Sequence, residues 1–208
     1  MPTIQNDRLK KQLTITLLAV LTAGISFVPL RTLGLEITFT TVPIAVGAIL
    51  FGPIAGGILG CVFGLCSFFQ CFGYSAFGAA LLSLSWWRTL LVCLPTRILM
   101  GLLAGLFSQA MRRLCERSRK PWLRAGLTDV LVGSVVTPIM NTAFFMSTLV
   151  LYFWNAEIIQ SFAAQLGTAN PIIFIFLFTG INGLVEIICG IVIAFPVAKG
   201  VQSAIRHI

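Results

Sequence analysis

Residues 39–72 form a run of 34 residues that contains no Asp, Glu, Lys or Arg. Gly52 and Pro53 lie near the middle of this run. Proline removes a hydrogen bond from a helix, and a Gly-Pro pair is a strong turn signal. The run therefore predicts two apolar helices, residues 39–51 and 54–72, joined by a very tight turn. The first is short against the ~20 residues of a straight span. Either it begins earlier, around Leu35, or protein shields it from lipid.

The second of these helices carries a stripe of glycines at every fourth position, which places them on one helical face: Gly52, Gly56, Gly60 and Gly64. Small residues let helix backbones approach closely in a membrane, where no hydrophobic force drives helices together. The stripe has two interpretations. The simpler is close packing within the protein, and the other is a surface for a separate membrane subunit.

The composition places the chain among polytopic membrane proteins, because 58% of its residues are hydrophobic, 10% are charged and the mean hydropathy is +1.00. A net charge of +8 would suggest nucleic acid as the partner of a soluble protein. Here the positive-inside rule explains the charge better, so no nucleic acid is expected. The first apolar run, residues 13–30, is as long as a full span and lacks a clear signal-peptide cleavage site.

The apolar runs predict an all-α membrane protein with six transmembrane helices in a single integral membrane domain, residues 1–208. The predicted spans are residues 13–30, 39–51, 54–72, 89–111, 125–154 and 171–198. Between them, residues 73–88 are interpreted as a Gly/Ser/aromatic segment, and residues 155–170 as a polar loop that can hold a short interfacial helix. With the N-terminus inside, eleven of the fourteen Lys and Arg residues lie on the inner side. Both termini are therefore predicted to be cytoplasmic.

Ionisable groups at bilayer depth are costly and are usually functional, and two stand out here: Arg97 and Glu186. At 1.5 Å of rise per residue, Arg97 lies about 13 Å below the outer surface and Glu186 about 22 Å. Asn182 lies about 16 Å down and shares a helical face with Glu186, while Asn141 lies about 20 Å down. Three helices thus send polar groups to overlapping depths.

This overlap predicts a binding pocket that opens to the outside. Gln70, near the outer end of its helix, could join the rim of the pocket, as could Trp86 or Trp87. A simpler alternative is that Arg97 and Glu186 neutralise each other and fix helix packing. Asn141 alone is more typical of an interhelical hydrogen bond. Two further carboxylates near span ends, Asp129 and Glu157, are expected to be solvated.

Several chemistries have no residues to support them. The chain has no GxxxxGK[ST] loop, no HExxH and no GxSxG, so neither ATP hydrolysis nor zinc-protease or serine-hydrolase chemistry is expected of it. Six cysteines occur without a CxxC pair, and the lone histidine is His207. The cysteines are interpreted as small buried hydrophobic residues, with no metal site and no cofactor.

Taken together, the chain resembles the substrate-binding S component of the energy-coupling factor (ECF) vitamin transporters of bacteria. The stretch TVPIAVGAILFGPIAGGILGCVFGL is similar to the second and third helices of that family, and LPTRILMGLLAGL to its fourth. Ala19 and Ala23 in AVLTA match the AxxxA motif of its first helix. The resemblance covers nearly the whole chain and implies a bacterial plasma membrane protein that is not an enzyme.

The resemblance also implies a mechanism. An S component binds a vitamin or precursor from outside and docks on a membrane coupling subunit, the T component, which carries two ATPase subunits. ATP hydrolysis then topples the S component in the bilayer and releases the ligand inside. Ala19 and Ala23 would form the docking surface, although AxxxA also occurs often in membrane helices by chance.

The resemblance also indicates a class of ligand. ITFTTVPIAVGAILFGP followed by GLCSFFQCFG most resembles members associated with pantothenate. Arg97 would suit a carboxylate, because a guanidinium can hold one with two parallel bonds. Asn141, Asn182 and Glu186 could serve hydroxyls and an amide. Folate, riboflavin, another vitamin or a pyrimidine precursor are alternatives. Rival classes are a membrane enzyme that uses Glu186 and Arg97, and a scaffold subunit without a ligand.

Overall fold

The computed structural model describes residues 3–28, 31–32, 35–36, 39–117 and 127–206. Those residues are almost entirely helical, with one antiparallel pair of two-residue strands. The helices and strands, in chain order, are α1 (Thr3–Ser26), β1 (Arg31–Thr32), β2 (Leu35–Glu36), α2 (Thr41–Phe51), α3 (Pro53–Gln70), α4 (Ala76–Leu84), α5 (Trp86–Arg117), α6 (Thr128–Phe153), α7 (Glu157–Gln165), α8 (Pro171–Cys189), a π-helical turn (Gly190–Ala194) and α9 (Phe195–Arg206).

The tight turn between α2 and α3 is confirmed. Gly52 has a φ of 87°, a left-handed conformation that favours glycine, and its N–H donates to the Ala48 carbonyl at 3.0 Å. Pro53 follows at the first position of α3, where its missing N–H costs nothing. The chain therefore reverses direction within one residue, and α2 and α3 run side by side.

Helix α2 does not begin around Leu35, because Leu35 lies in strand β2 and the helix begins at Thr41. The other explanation of its shortness is the correct one. Residues Pro43 to Ile49 of α2 are all buried, and the side chains of Ile44 and Ala48 are fully enclosed. Helices α1, α3, α5 and α6 pack around α2, so protein shields most of its length from lipid.

The glycine stripe packs α3 against α5, which make the most extensive contact of any two helices. A Cβ built on Gly56 would overlap the Gly101 carbonyl oxygen, and one on Gly60 would overlap that of Arg97. On Gly64 a Cβ would approach the Cys93 carbonyl oxygen to 2.9 Å. Internal packing is thus the correct interpretation of the stripe, and it fixes the height of Arg97 against α3.

Two of the segments between the predicted spans contain short helices. The segment 73–88 includes α4. Ser75 caps the start of α4, because its Oγ accepts a hydrogen bond from the Gly78 N–H at 3.2 Å. Helix α5 already begins within the same segment, at Trp86. The polar loop 155–170 contains α7. Helix α5 also continues past the predicted end of its span, to Arg117. The basic residues between α5 and α6, at positions 118–124, and His207 lie outside the described residues.

Four helical segments within the described residues are long and apolar enough to cross a membrane: Pro53–Gln70, Trp86–Arg117, Thr128–Phe153 and Gly183–Gln202. Two shorter apolar helices are Thr41–Phe51 and Pro171–Gly180. Large apolar side chains cover the outer surface, among them Leu17, Leu151 and Phe176. These features are those of a multi-pass membrane protein. The number of six spans and the cytoplasmic position of both termini stay predictions.

Asp129 was expected to be solvated, and this expectation is wrong, because its exposed fraction is 1%. Its Oδ2 accepts a hydrogen bond from Arg112 Nε at 2.9 Å, and its carbonyl oxygen accepts one from Ser108 Oγ at 3.1 Å. Arg112 Nη2 also donates to the Ile49 carbonyl at 3.2 Å. This ion pair therefore joins the last turn of α2 to α5 and to the first turn of α6.

We expect Asp129→Ala to lower the free energy of unfolding by about 2 kcal/mol. The change leaves the Arg112 guanidinium without its carboxylate, and the cost is moderate because Arg112 is partly exposed. Glu157→Ala is the matched control, since Glu157 is an exposed carboxylate in the first turn of α7. Thermal unfolding in detergent measures both variants. Equal melting temperatures would show that the ion pair does not stabilise the bundle.

Candidate functional site

A cavity of about 420 Å³ lies within the helix bundle. Its wall comes from α1, α2, α3, α4, α5, α6, α8 and the π-helical turn, so no single part of the chain builds it. Most of the lining is apolar, including Phe63, Leu81 and Val92. This size and character are typical of pockets that enclose a small molecule and use a few polar groups to orient it.

Arg97, from the middle of α5, projects into this cavity with an exposed fraction of only 5%. Its Nη1 donates to the Val92 carbonyl at 3.0 Å and to Thr96 Oγ1 at 3.2 Å. The guanidinium carbon lies 4.3 Å from the centre of the Phe145 ring and 5.1 Å from that of Phe63. Two aromatic rings and two hydrogen bonds therefore hold the cation in one orientation.

The Nε–H of Arg97 is buried, and no acceptor for it exists among the residues that the structure describes. A buried donor without a partner is costly, and one attached to a charged group more so. The Nη1 group of the guanidinium, by contrast, already donates to two acceptors on α5 itself. The Nε–H therefore has no hydrogen-bond acceptor within the described part of the protein.

Glu186 and Asn141 form the second polar group of the cavity. Asn141 Nδ2, from α6, donates to Glu186 Oε2, from α8, at 3.3 Å, and both side chains are buried. The cavity therefore contains a carboxylate and an amide as well as a guanidinium. Asn182 lies one turn before Glu186 on α8, and its side chain is outside the described residues.

Gln70 also lines the cavity, at the last position of α3. Its Nε2 donates to the carbonyl oxygen of Ser26, at the last position of α1, and so ties the two helix ends together. Trp86 and Trp87, which were considered for the rim, do not line the cavity in the part of the chain that the structure describes. Both side chains are exposed. Trp87 packs edge-on against Tyr152, with ring centroids 5.9 Å apart.

The structure thus brings together four of the five residues predicted to bind substrate: Gln70, Arg97, Asn141 and Glu186. Their roles stay predictions. Sequence reasoning missed the residues that hold Arg97, namely Thr96, Phe63 and Phe145. Of these three residues, only Thr96 lies beside Arg97 in the sequence and could have been linked to it there. The two phenylalanines come from α3 and α6, and nothing in an apolar run distinguishes them from other phenylalanines.

Ala19 and Ala23 are both half-buried on α1. Ala19 packs against the cluster formed by Ile44, Leu59, Phe63 and Met100, so part of its surface already serves the core. The exposed face of α1 is formed by larger residues beside the two alanines, namely Leu13, Leu17, Val20 and Leu21. A docking role for Ala19 and Ala23 stays a prediction.

None of the six cysteines, all of which lie in the described part of the chain, forms a disulfide. Cys71, Cys93 and Cys115 are buried, and the other three are half-buried. Within the described part of the chain, no group of three or more His, Cys, Asp or Glu residues is placed to hold a metal ion.

Comparison with known families gives one result. The family described as "ECF transporter, substrate-specific component" has a model that matches residues 13–198, which is most of the chain. No curated protein matches the sequence.

Proposed function

Because the chain belongs to the ECF transporter substrate-specific component family, we propose that it captures a vitamin or vitamin precursor from outside the cell for an ECF-type ABC importer. One observation carries the proposal: a buried guanidinium, held by its own helix and two aromatic rings, lines a cavity of about 420 Å³, and its Nε–H has no acceptor among the described residues. A cation buried within a membrane-spanning bundle is costly, and such residues usually serve a function.

We propose pantothenate as the ligand. Its carboxylate would accept hydrogen bonds from Arg97, which offers a charge-assisted and geometrically directed partner. Asn141 and Glu186, with Asn182 and Gln70, would serve its hydroxyls and amide. The mixed polar and apolar lining of the cavity supports a ligand with an anionic end and hydrogen-bonding groups along an apolar stem. Another vitamin, such as folate or riboflavin, or a pyrimidine precursor is the alternative.

The proposal includes an arrangement in the membrane. The chain would be a single integral domain in the bacterial plasma membrane, with six spans and both termini in the cytoplasm. The ion pair of Arg112 and Asp129 would then lie at the inner end of the bundle, where most Lys and Arg residues of the sequence are placed. Its partners would be a T component and two ATPase subunits.

Calorimetric titration of the purified protein with pantothenate, riboflavin and folate tests this proposal. We expect one of them, first pantothenate, to bind in the nanomolar range. Mass spectrometry of small molecules that co-purify with the protein is the complementary measurement. If no water-soluble vitamin binds and none co-purifies, the protein does not capture a vitamin.

The docking role of α1 gives a separate prediction. Ala23→Leu should abolish uptake by cells that carry the complete transporter, because close contact with a partner helix needs a small residue. Ligand binding by the isolated protein should be unchanged. Ala23 is preferred over Ala19, which also packs in the core.

Ala110→Leu is the matched control for this experiment, because it makes the same substitution at an exposed position of α5. It should preserve both uptake and binding. If Ala23→Leu impairs ligand binding as much as uptake, Ala23 supports the fold rather than the contact with the T component.

A further inference from the structure

Two cysteines that contact the same serine lie in the wall of the cavity. Cys71 directly follows α3 and Cys93 lies in the second turn of α5; both are buried and both line the cavity. Both sulfurs contact Ser67, which lies one helical turn before Cys71 on α3. The pair is separated by more than twenty residues in sequence, so the fold alone brings the two sulfurs together.

Ser67 fixes the positions of both sulfurs. Its Oγ–H donates to Cys93 Sγ at 3.8 Å, and its carbonyl oxygen accepts from the Cys71 thiol at 3.3 Å. The Cys71 side chain therefore turns back by one helical turn, toward the level of Cys93. The close approach of α3 and α5 at Gly64, whose backbone packs on that of Cys93 and Leu94, keeps the two helices at the distance this arrangement needs.

The other four cysteines have different surroundings. Cys115 lies 2.8 Å from Thr128 Oγ1, between α5 and α6. Cys61 and Cys66 lie earlier on α3 and Cys189 ends α8, and all three are half-buried. None of these four lines the cavity as the structure describes it. A reagent that enters the cavity would therefore meet Cys71 and Cys93 together.

We propose that Cys71 and Cys93 form a reversible disulfide site in the cavity wall, with a small disulfide compound as the oxidant. One cysteine thiolate attacks the reagent, breaks its sulfur–sulfur bond and releases one reagent thiol. The second cysteine thiolate then attacks the cysteine sulfur of this mixed disulfide and releases the other reagent thiol. Two protein thiols are oxidised, one disulfide reagent is reduced to two thiols, and the two cysteine protons end on the released thiols.

A disulfide between Cys71 and Cys93 would constrain the part of the cavity wall that includes Arg97. Cys93 precedes Arg97 by four residues, so the two side chains share one face of α5. A disulfide would fix the end of α3 to α5 just beside the guanidinium and would cross-link the chain across the cavity wall. Because a cross-link restricts the unfolded chain, the oxidised protein should melt at a higher temperature than the reduced one. Neither effect depends on the identity of the transported ligand.

The experiment uses the full-length protein in detergent, reduced and then exposed to oxidised glutathione. Remaining thiols are blocked with iodoacetamide, and the digest is mapped by mass spectrometry. We expect the peptides of Cys71 and Cys93 to be joined, with a mass lower by two hydrogen atoms, and dithiothreitol to separate them. The melting temperature should rise on oxidation and return on reduction.

Two variants sharpen the test. Cys93→Ser should abolish the cross-link and the rise in melting temperature, whereas Cys66→Ser, on the same helix as Ser67, should change neither. The peptide map of the unmodified protein decides the matter even if a variant fails to fold. Recovery of Cys71 and Cys93 as separate glutathione adducts, as alkylated thiols, or in disulfides with other cysteines would overturn the proposal.

Discussion

Arg97→Ala should weaken ligand binding by about 100-fold or more, which corresponds to about 2.8 kcal/mol. The expected ligand carries a carboxylate, and hydrogen bonds between charged groups in a buried site are among the strongest that proteins make. The side chain is already held by Val92, Thr96 and two aromatic rings, so binding would lose little entropy in ordering it. Titration of the ligand found for the unmodified protein measures the change.

Two further variants separate the contribution of geometry from that of charge. Arg97→Lys keeps the positive charge but loses the planar edge that offers two parallel donors, so its affinity should fall between those of the unmodified protein and Arg97→Ala. Arg88→Ala is the matched control, because Arg88 is an exposed arginine on the same helix and lies outside the described wall of the cavity. Its affinity should be unchanged.

The Arg97→Ala variant should remain folded, because it removes a buried charge whose desolvation costs free energy. Thermal unfolding and size-exclusion chromatography check this point. A folded Arg97→Ala variant that binds the ligand as tightly as the unmodified protein would contradict the role of Arg97. The guanidinium would then serve only the packing of α5 against Phe63 and Phe145.

The features that could be predicted from the sequence are those with a local cause. The Gly-Pro turn specifies its own backbone conformation, and a stripe of glycines at every fourth position specifies a face that packs closely. The depth of Arg97, Asn141 and Glu186 follows from counting along helices, which is why a shared cavity was expected for them. Family resemblance, covering most of the chain, supplied the functional class.

The features that could not be predicted depend on groups brought together from distant parts of the chain. The burial of Asp129 requires Arg112 from another helix and the covering end of α2. Helix α4 has a capping Ser75, but its Gly, Ser and aromatic residues also suit an irregular segment. The proposed pairing of Cys71 with Cys93 depends on the contact of both sulfurs with Ser67, and no cysteine spacing in the sequence predicts that contact.

Gly60→Ala should destabilise the protein by about 3 kcal/mol, although alanine is normally the better helix former. The added methyl group would overlap the backbone carbonyl oxygen of Arg97, and backbone atoms cannot move aside as the end of a side chain can. Helices α3 and α5 would have to separate, and Arg97 would shift with its carbonyl. Ligand affinity should therefore fall together with the melting temperature.

Gly24→Ala and Gly180→Ala are the matched controls, because a Cβ built at either position meets no atom within 4 Å. Both glycines lie within helices, so each substitution should leave the melting temperature unchanged or raise it slightly. The effect of a Gly→Ala substitution on stability is thus expected to be destabilising at Gly60 and neutral or stabilising at Gly24 and Gly180. If Gly60→Ala left the isolated protein stable and impaired only assembly with the T component, the stripe would be a docking surface, contrary to the packing of α3 on α5.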